Sequence, residues 1–209
     1  MSQEVSSTNL TEEHLDVLTE MINIGVGRAA ALLNEMVQAH VQLKVPTIEV
    51  ISRAEFIANP PMSGKIDFAS VQLPFESDSF SGRCVLAFPP KSASNLVAQL
   101  TGESDGDGAL GYLRISTLKE VGNIVLNSVM GSIANVLGSK MNYSVPSYHD
   151  GDLQDMLKER DGLVAAIIIY AETWFIVTER KIEGDILILV GARSLAALSE
   201  SLELFLKKQ

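Results

Sequence analysis

One polar pattern occurs twice in this chain, and that repeat limits its possible folds more than any other feature. Asp16, Glu20, Asn23 and Pro46 are matched, each 100 positions later, by Ser116, Glu120, Asn123 and Pro146. A second correspondence, offset by 102, aligns Gly82 to Phe88 and the helical run from Ser92 with Gly184 to Val190 and the run from Ser194. Internal duplication of this kind predicts two like units related by a pseudo-two-fold axis and burying a common face. With 209 residues, 46% of them hydrophobic, the chain can bury a large core without covalent staples. We expect a loosely held polar tail over residues 1–10, then one domain over 11–209 made of repeats at about 11–104 and 105–209.

Local patterning places the elements. Thr11 reads as an N-cap, Glu12 and Glu13 suit the positive end of a helix dipole, and Leu15, Leu18, Ile22, Val26, Ala29 and Leu33 recur at helical spacing. This predicts a helix running to about Met36 or Ala39. After Pro46 the texture becomes β-like at Thr47 to Ile51, Ile66 to Phe75 and Gly82 to Phe88, followed by a helix at Ser92 to Leu100. A polar connection over Thr101 to Gly108 leads to a second long helix, Leu113 to Leu137, with Gly138 as its stop. Strand-like runs at Leu163 to Ala171, Thr173 to Thr178 and Asp185 to Val190 precede a last helix at Ser194 to Leu206. The predicted class is α+β, an antiparallel sheet flanked by long helices.

Each polar pattern falls within one helix. At about 100° per residue, positions i, i+4 and i+7 lie in a narrow stripe, so Asp16, Glu20 and Asn23 share a face opposite Leu18, Ile22, Ala29 and Leu33. In the second helix Leu118, Val121, Val125 and Val129 are available to the core while Glu120 and Asn123 project elsewhere. A solvated face alone would account for Glu, an ordinary helix former. Asn in mid-helix is less favourable, and its presence in both copies is a cost that a solvated face does not require. The flanks differ: Asn23 precedes Ile24-Gly25-Val26-Gly27, whereas Asn123 precedes Ile124-Val125-Leu126-Asn127. Gly25 and Gly27 either permit tight packing or weaken the helix.

Other signals exclude function classes. A formal charge of −10 with no basic stripe argues against nucleic acid. Neither a signal peptide nor an apolar run near 20 residues is visible, so we expect a cytoplasmic protein without membrane attachment. The single cysteine, Cys84, sits in an apolar run and reads as a buried hydrophobe. His14, His40 and His149 lack metal-ligand spacing, and no Ser, His and acid triad is visible, so no metal site is expected. Asp105 to Gly108 resembles a calcium loop but has Ser116 where a bidentate acid is needed; Ser63-Gly64-Lys65 lacks the full phosphate-loop spacing. Trp174 and Phe175 are expected in the core. What remains is a carboxylate and a carboxamide, the latter carrying donor and acceptor in one plane; together they can position water but supply no nucleophile.

The doubled pattern resembles the signature of the CheC, CheX and FliY phosphatases of bacterial chemotaxis: Asp or Ser, three residues, Glu, two residues, Asn, 22 residues, Pro. Both copies fit throughout, whereas one copy would arise by chance at on the order of one start in 10⁴ to 10⁵. Two intact copies without an added flagellar-switch domain bring the resemblance to stand-alone CheC. The resemblance implies hydrolysis of the aspartyl phosphate on a CheY-type response regulator. It implies that Asn23 and Asn123 orient the attacking water and that Glu20 and Glu120 engage the regulator's lysine. Asp16 and Ser116 would support or dock, and Pro46 and Pro146 would shape the nearby backbone. It further implies that the regulator itself carries Mg²⁺, that this chain binds no cofactor, and that the receptor deamidase CheD is a second partner; we expect the chain to be a monomer. The alternative class is a non-catalytic adaptor using the same face to bind a regulator or CheD.

Overall fold

In the structure, a computed structural model, the residues described are 10–37, 40–61, 67–78, 80–102, 110–158 and 165–208. The first nine residues of the expected tail, the Asp105 to Gly108 turn and Ser63 to Lys65 lie outside them. The chain begins with α1 (Glu12–Val37) and continues through β1 (Val41–Ser52), α2 (Arg53–Ala58), β2 (Asp67–Glu76), β3 (Ser81–Phe88) and α3 (Pro90–Thr101). The second half follows the same order with α4 (Leu110–Leu137), β4 (Asn142–Tyr143), β5 (Ser147–Asp152), α5 (Leu153–Met156), β6 (Ile167–Val177), β7 (Arg180–Val190) and α6 (Ala192–Leu206).

Local chemistry sets the ends of the long helices. The Thr11 hydroxyl accepts from the His14 backbone N–H at 3.2 Å, and the Thr11 N–H donates to His14 Nδ1 at 3.4 Å. This is a reciprocal capping box with His where Glu or Gln is usual, and it satisfies two otherwise orphaned donors. At the far end of α4, Gly138 adopts φ +58°, a conformation that stops a helix cheaply only without a Cβ.

All seven strands join one sheet, ordered β1-β6-β7-β3-β2-β4 with β5 also on β2, and every pairing is antiparallel. The order is a palindrome of the two halves. At its centre Val85 faces Leu187, two residues related by the 102-residue offset, so the pseudo-two-fold axis passes between β3 and β7. Each half also lends its first strand to the other: β1 lies on β6, and β4 with β5 lies on β2. In neither half does the first strand pair with that half's own later strands.

Side chains alternate between two cores. Cys84, Leu86, Phe88, Ile186 and Ile188 face the main one, together with Leu18, Ile22, Val26, Ala29 and Leu33 of α1 and Leu118, Val121, Val125 and Val129 of α4. Val85, Ala87, Leu187 and Leu189 face a smaller one closed by Phe56 of α2 and Met156 of α5. Arg83 and Cys84 are adjacent in sequence yet point to opposite faces. Arg83 Nη2 donates to the carbonyls of Met156 and Lys158 on one side, while burial on the other pushes the Cys84 thiol pKa up.

Several boundaries differ from expectation, each for a tertiary reason. The strand placed after Pro46 starts at Val41 and runs through the proline, because a one-residue register shift between Lys44 and Thr47 accommodates it. Proline has no N–H to give a ladder, so an edge strand with a bulge is where it is tolerated. The runs on either side of Glu172 form one strand, β6, paired on both sides. Phe175 is core, but Trp174 is half-buried, donates to Glu172 at 2.8 Å and lies under Lys181 Nζ, 3.4 Å from its ring centre. The short elements α2, β4, β5 and α5 carry too few residues for any periodicity to show.

Candidate functional site

The second polar pattern is built from the exposed flank of α4 and the chain between β4 and β5. Glu120 is exposed and Asn123 half-buried, while Leu118, Val121 and Val125 on the opposite flank are fully buried. Pro146 interrupts the edge strand: Tyr143 pairs with Phe75 and Ser147 with Gln72, so one extra residue is spent around the proline, as around Pro46 in β1. That bulge brings Val145 and Pro146 beside α4. The result is an open groove of about 350 Å³ lined by Tyr112, Ile115, Ser116, Lys119, Glu120, Asn123, Val145 and Pro146. Four residues expected from the sequence pattern, Ser116, Glu120, Asn123 and Pro146, therefore meet in one place.

Each polar group in the groove has a definable state. The Ser116 hydroxyl donates to the Leu113 carbonyl at 3.0 Å, so it is occupied with its own helix. Asn127, one turn beyond Asn123, donates from Nδ2 both to the Asn123 carbonyl at 2.8 Å and to its side-chain Oδ1 at 2.7 Å. Lys119 adds a cation to the lining of the groove. Tyr112 and Val145 form an apolar collar, each 82% exposed, which is more apolar surface than a solvent-facing rim needs.

On α1 the first pattern is also open to solvent: Asp16, Glu20 and Asn23 are exposed, as is Pro46 on β1. Its surroundings differ. The positions equivalent to Tyr112, Lys119 and Asn127 hold Glu12, Thr19 and Gly27, so this face is more acidic and lacks the amide beside its Asn. The two helices meet closely at Gly25, where a Cβ would lie 2.5 Å from the Val129 Cα. Gly27 has open space at the same position, so of the two sequence alternatives tight packing holds at Gly25 only.

The pattern at 116, 120, 123 and 146 was visible in the sequence, but Tyr112, Lys119, Val145 and Asn127 were not singled out as site residues. Asn127 carried a readable signal, since i+4 from Asn123 is the same helix face. The collar carried none, because exposed apolar residues are common and only the bulge brings Val145 to α4. Among the described residues no cluster of three or more His, Cys, Asp or Glu is placed to hold a metal, and no helix is long and apolar enough to cross a membrane.

No family model matches the sequence. A Bacillus subtilis protein named CheY-P phosphatase CheC is 28% identical over 145 residues, covering 66% of this chain and 66% of that protein. Over that stretch this chain is similar in sequence to CheC. The flagellar motor switch phosphatase FliY of the same organism is 26% identical over 155 residues, covering 73% of this chain but 39% of FliY. The crystal structure of Thermotoga maritima FliY superposes with a TM-score of 0.71 at 21% identity, covering 96% of this chain and all of that one. The CheC and FliY fold is thus present nearly end to end, with the antiparallel sheet and paired long helices expected from the repeat.

Proposed function

We infer that this chain is a phosphatase for the aspartyl phosphate of a CheY-type response regulator, acting through Glu20 with Asn23 and Glu120 with Asn123. The observation that carries this reading is the open groove lined by Glu120, Asn123 and Pro146, with the same pair repeated and exposed on α1. The Ser116 hydroxyl is bonded to its own helix and no His lines the groove to activate it, so the chemistry suited to the groove is the placement of water on a reactive group that a partner brings. The names of the homologues point to the same substrate class.

In the proposed reaction a water oxygen attacks phosphorus in line with the bond to the aspartyl carboxyl. That P–O bond breaks with its electron pair passing to the carboxylate, and the water protons pass to phosphate and solvent. The products are the free Asp side chain and inorganic phosphate. The Asn carboxamide holds the water, an entropic and electrostatic contribution worth several kcal/mol, about tenfold in rate for each 1.4 kcal/mol. Glu pairs with the regulator's lysine and fixes the docked orientation. Mg²⁺ belongs to the regulator, and this chain completes a site that already holds phosphate.

The test is loss of phosphate from phosphorylated regulator with and without the protein, for the parent and for Asn23→Ala with Asn123→Ala combined. The parent should accelerate loss and the double variant should not, with both binding the regulator and melting alike. Binding without acceleration by the parent would make the chain an adaptor instead.

A further inference from the structure

The two Asn side chains differ in one contact that their common signature does not contain. Asn123 Oδ1 accepts from Asn127 Nδ2 at 2.7 Å, while the second hydrogen of that amide serves the Asn123 backbone carbonyl at 2.8 Å. Both hydrogens of one NH₂ group are thus spent on holding a single residue, its backbone and its side chain together. The equivalent of Asn127 on α1 is Gly27, which has no side chain to offer Asn23. Among the described residues the Asn127 side chain is shown bonding only to Asn123, and in mid-helix Asn is a poor helix former.

We propose that Asn127 is a positioning residue for Asn123, fixing the rotation of its carboxamide before the regulator docks. The proposal rests on the phosphatase reading above and concerns the 120/123 site alone. An amide oxygen has two lone pairs; Asn127 takes one and leaves the other for the attacking water. The tether also selects which way round the carboxamide stands, since a flipped Asn123 would set NH₂ against NH₂. With the plane and the flip already set, reaching the transition state in the docked complex need not order that side chain. Sparing that cost is worth about three- to tenfold in turnover. Asn23, without such a tether, meets that cost in the chemical step of every turnover.

The experiment silences one site at a time in the full chain and follows phosphorylated regulator under saturating and subsaturating conditions. Asn23→Ala protein must still accelerate hydrolysis, and adding Asn123→Ala must remove the acceleration; these two results test the phosphatase reading itself. On the Asn23→Ala background, Asn127→Ala is expected to lower kcat about three- to tenfold with KM for the regulator little changed. Asn127→Gln, which keeps an amide donor, should recover part of the loss. On the Asn123→Ala background, Gly27→Asn should raise kcat at the 20/23 site, and open space at the Gly27 Cβ position accommodates the new side chain. A kcat untouched by Asn127→Ala, or a loss carried by KM alone, overturns the proposal while the phosphatase reading stands. So does a Gly27→Asn protein in which kcat and KM are both unchanged.

Discussion

Replacing Gly25 by Ala inserts one methyl group where α1 crosses α4, and the structure dictates its sign. The added Cβ would lie 2.5 Å from the Val129 Cα and 2.9 Å from the Ser128 carbonyl oxygen. Carbon atoms rest at about 3.5–4.0 Å, so the helices must part by roughly 1 Å, and backbone cannot rotate away as a side chain can. Overpacking of this kind costs about 1–3 kcal/mol or more, against about 1 kcal/mol gained from exchanging Gly for Ala in a helix. Gly27, two residues on, points about 200° away around the helix and meets nothing within 4 Å, so there only the gain applies. For a chain of this size Gly25→Ala should lower Tm by up to about 8 °C and Gly27→Ala raise it by about 2–4 °C. Calorimetry or circular dichroism melts of both variants decide the matter. Equal rises in Tm would show that the α1/α4 contact is not as close as described.

Three further outcomes follow from the same geometry. Burial, then the charge and hydrogen bond of Asp185, push the Tyr170 hydroxyl pKa up, and its O–H donates to Asp185 at 2.7 Å. Because the folded pKa is raised, this contribution is complete below about pH 10, where the unfolded phenol begins to ionise, and is lost as pH rises further. Tyr170→Phe should cost about 1–3 kcal/mol at pH 8 in urea melts and flatten the alkaline decline. A residual slope is expected from Tyr148, pushed up by burial and by its bond to Asp150. Val145→Asp, at an 82% exposed collar position, should raise KM for the regulator several-fold on the Asn23→Ala background without moving Tm. Thr11→Ala removes the hydroxyl of the α1 capping box and should lower stability by about 1 kcal/mol in the same melts.

Much of this architecture was legible before any coordinates. The stripe of Leu18, Ile22, Val26, Ala29 and Leu33 is buried as its spacing required, and the opposite face carries Asp16, Glu20 and Asn23 in solvent. Helical periodicity repeats within a few residues, so a short stretch of sequence contains the whole signal. The strands were legible as strands but not as neighbours. That β1 lies on β6 and β5 on β2 is a pairing across 75 residues of chain or more, selected by which sheet edge each half leaves open. The split around Glu172 failed for a related reason: a charged residue reads as a break until the flanking strands show that it is a ladder position.

The sequence by itself determined that two like halves exist, which helix face each buries, and which helix face carries each Glu and Asn pair, because all of these depend on residues within two helical turns or on an exact internal offset. Only the tertiary structure decided that Val145 and Pro146 close a groove beside Glu120, that Gly25 rather than Gly27 meets the partner helix, and that the halves exchange their first strands. Those are contacts between segments far apart in the chain, and their geometry is set by packing the whole core at once.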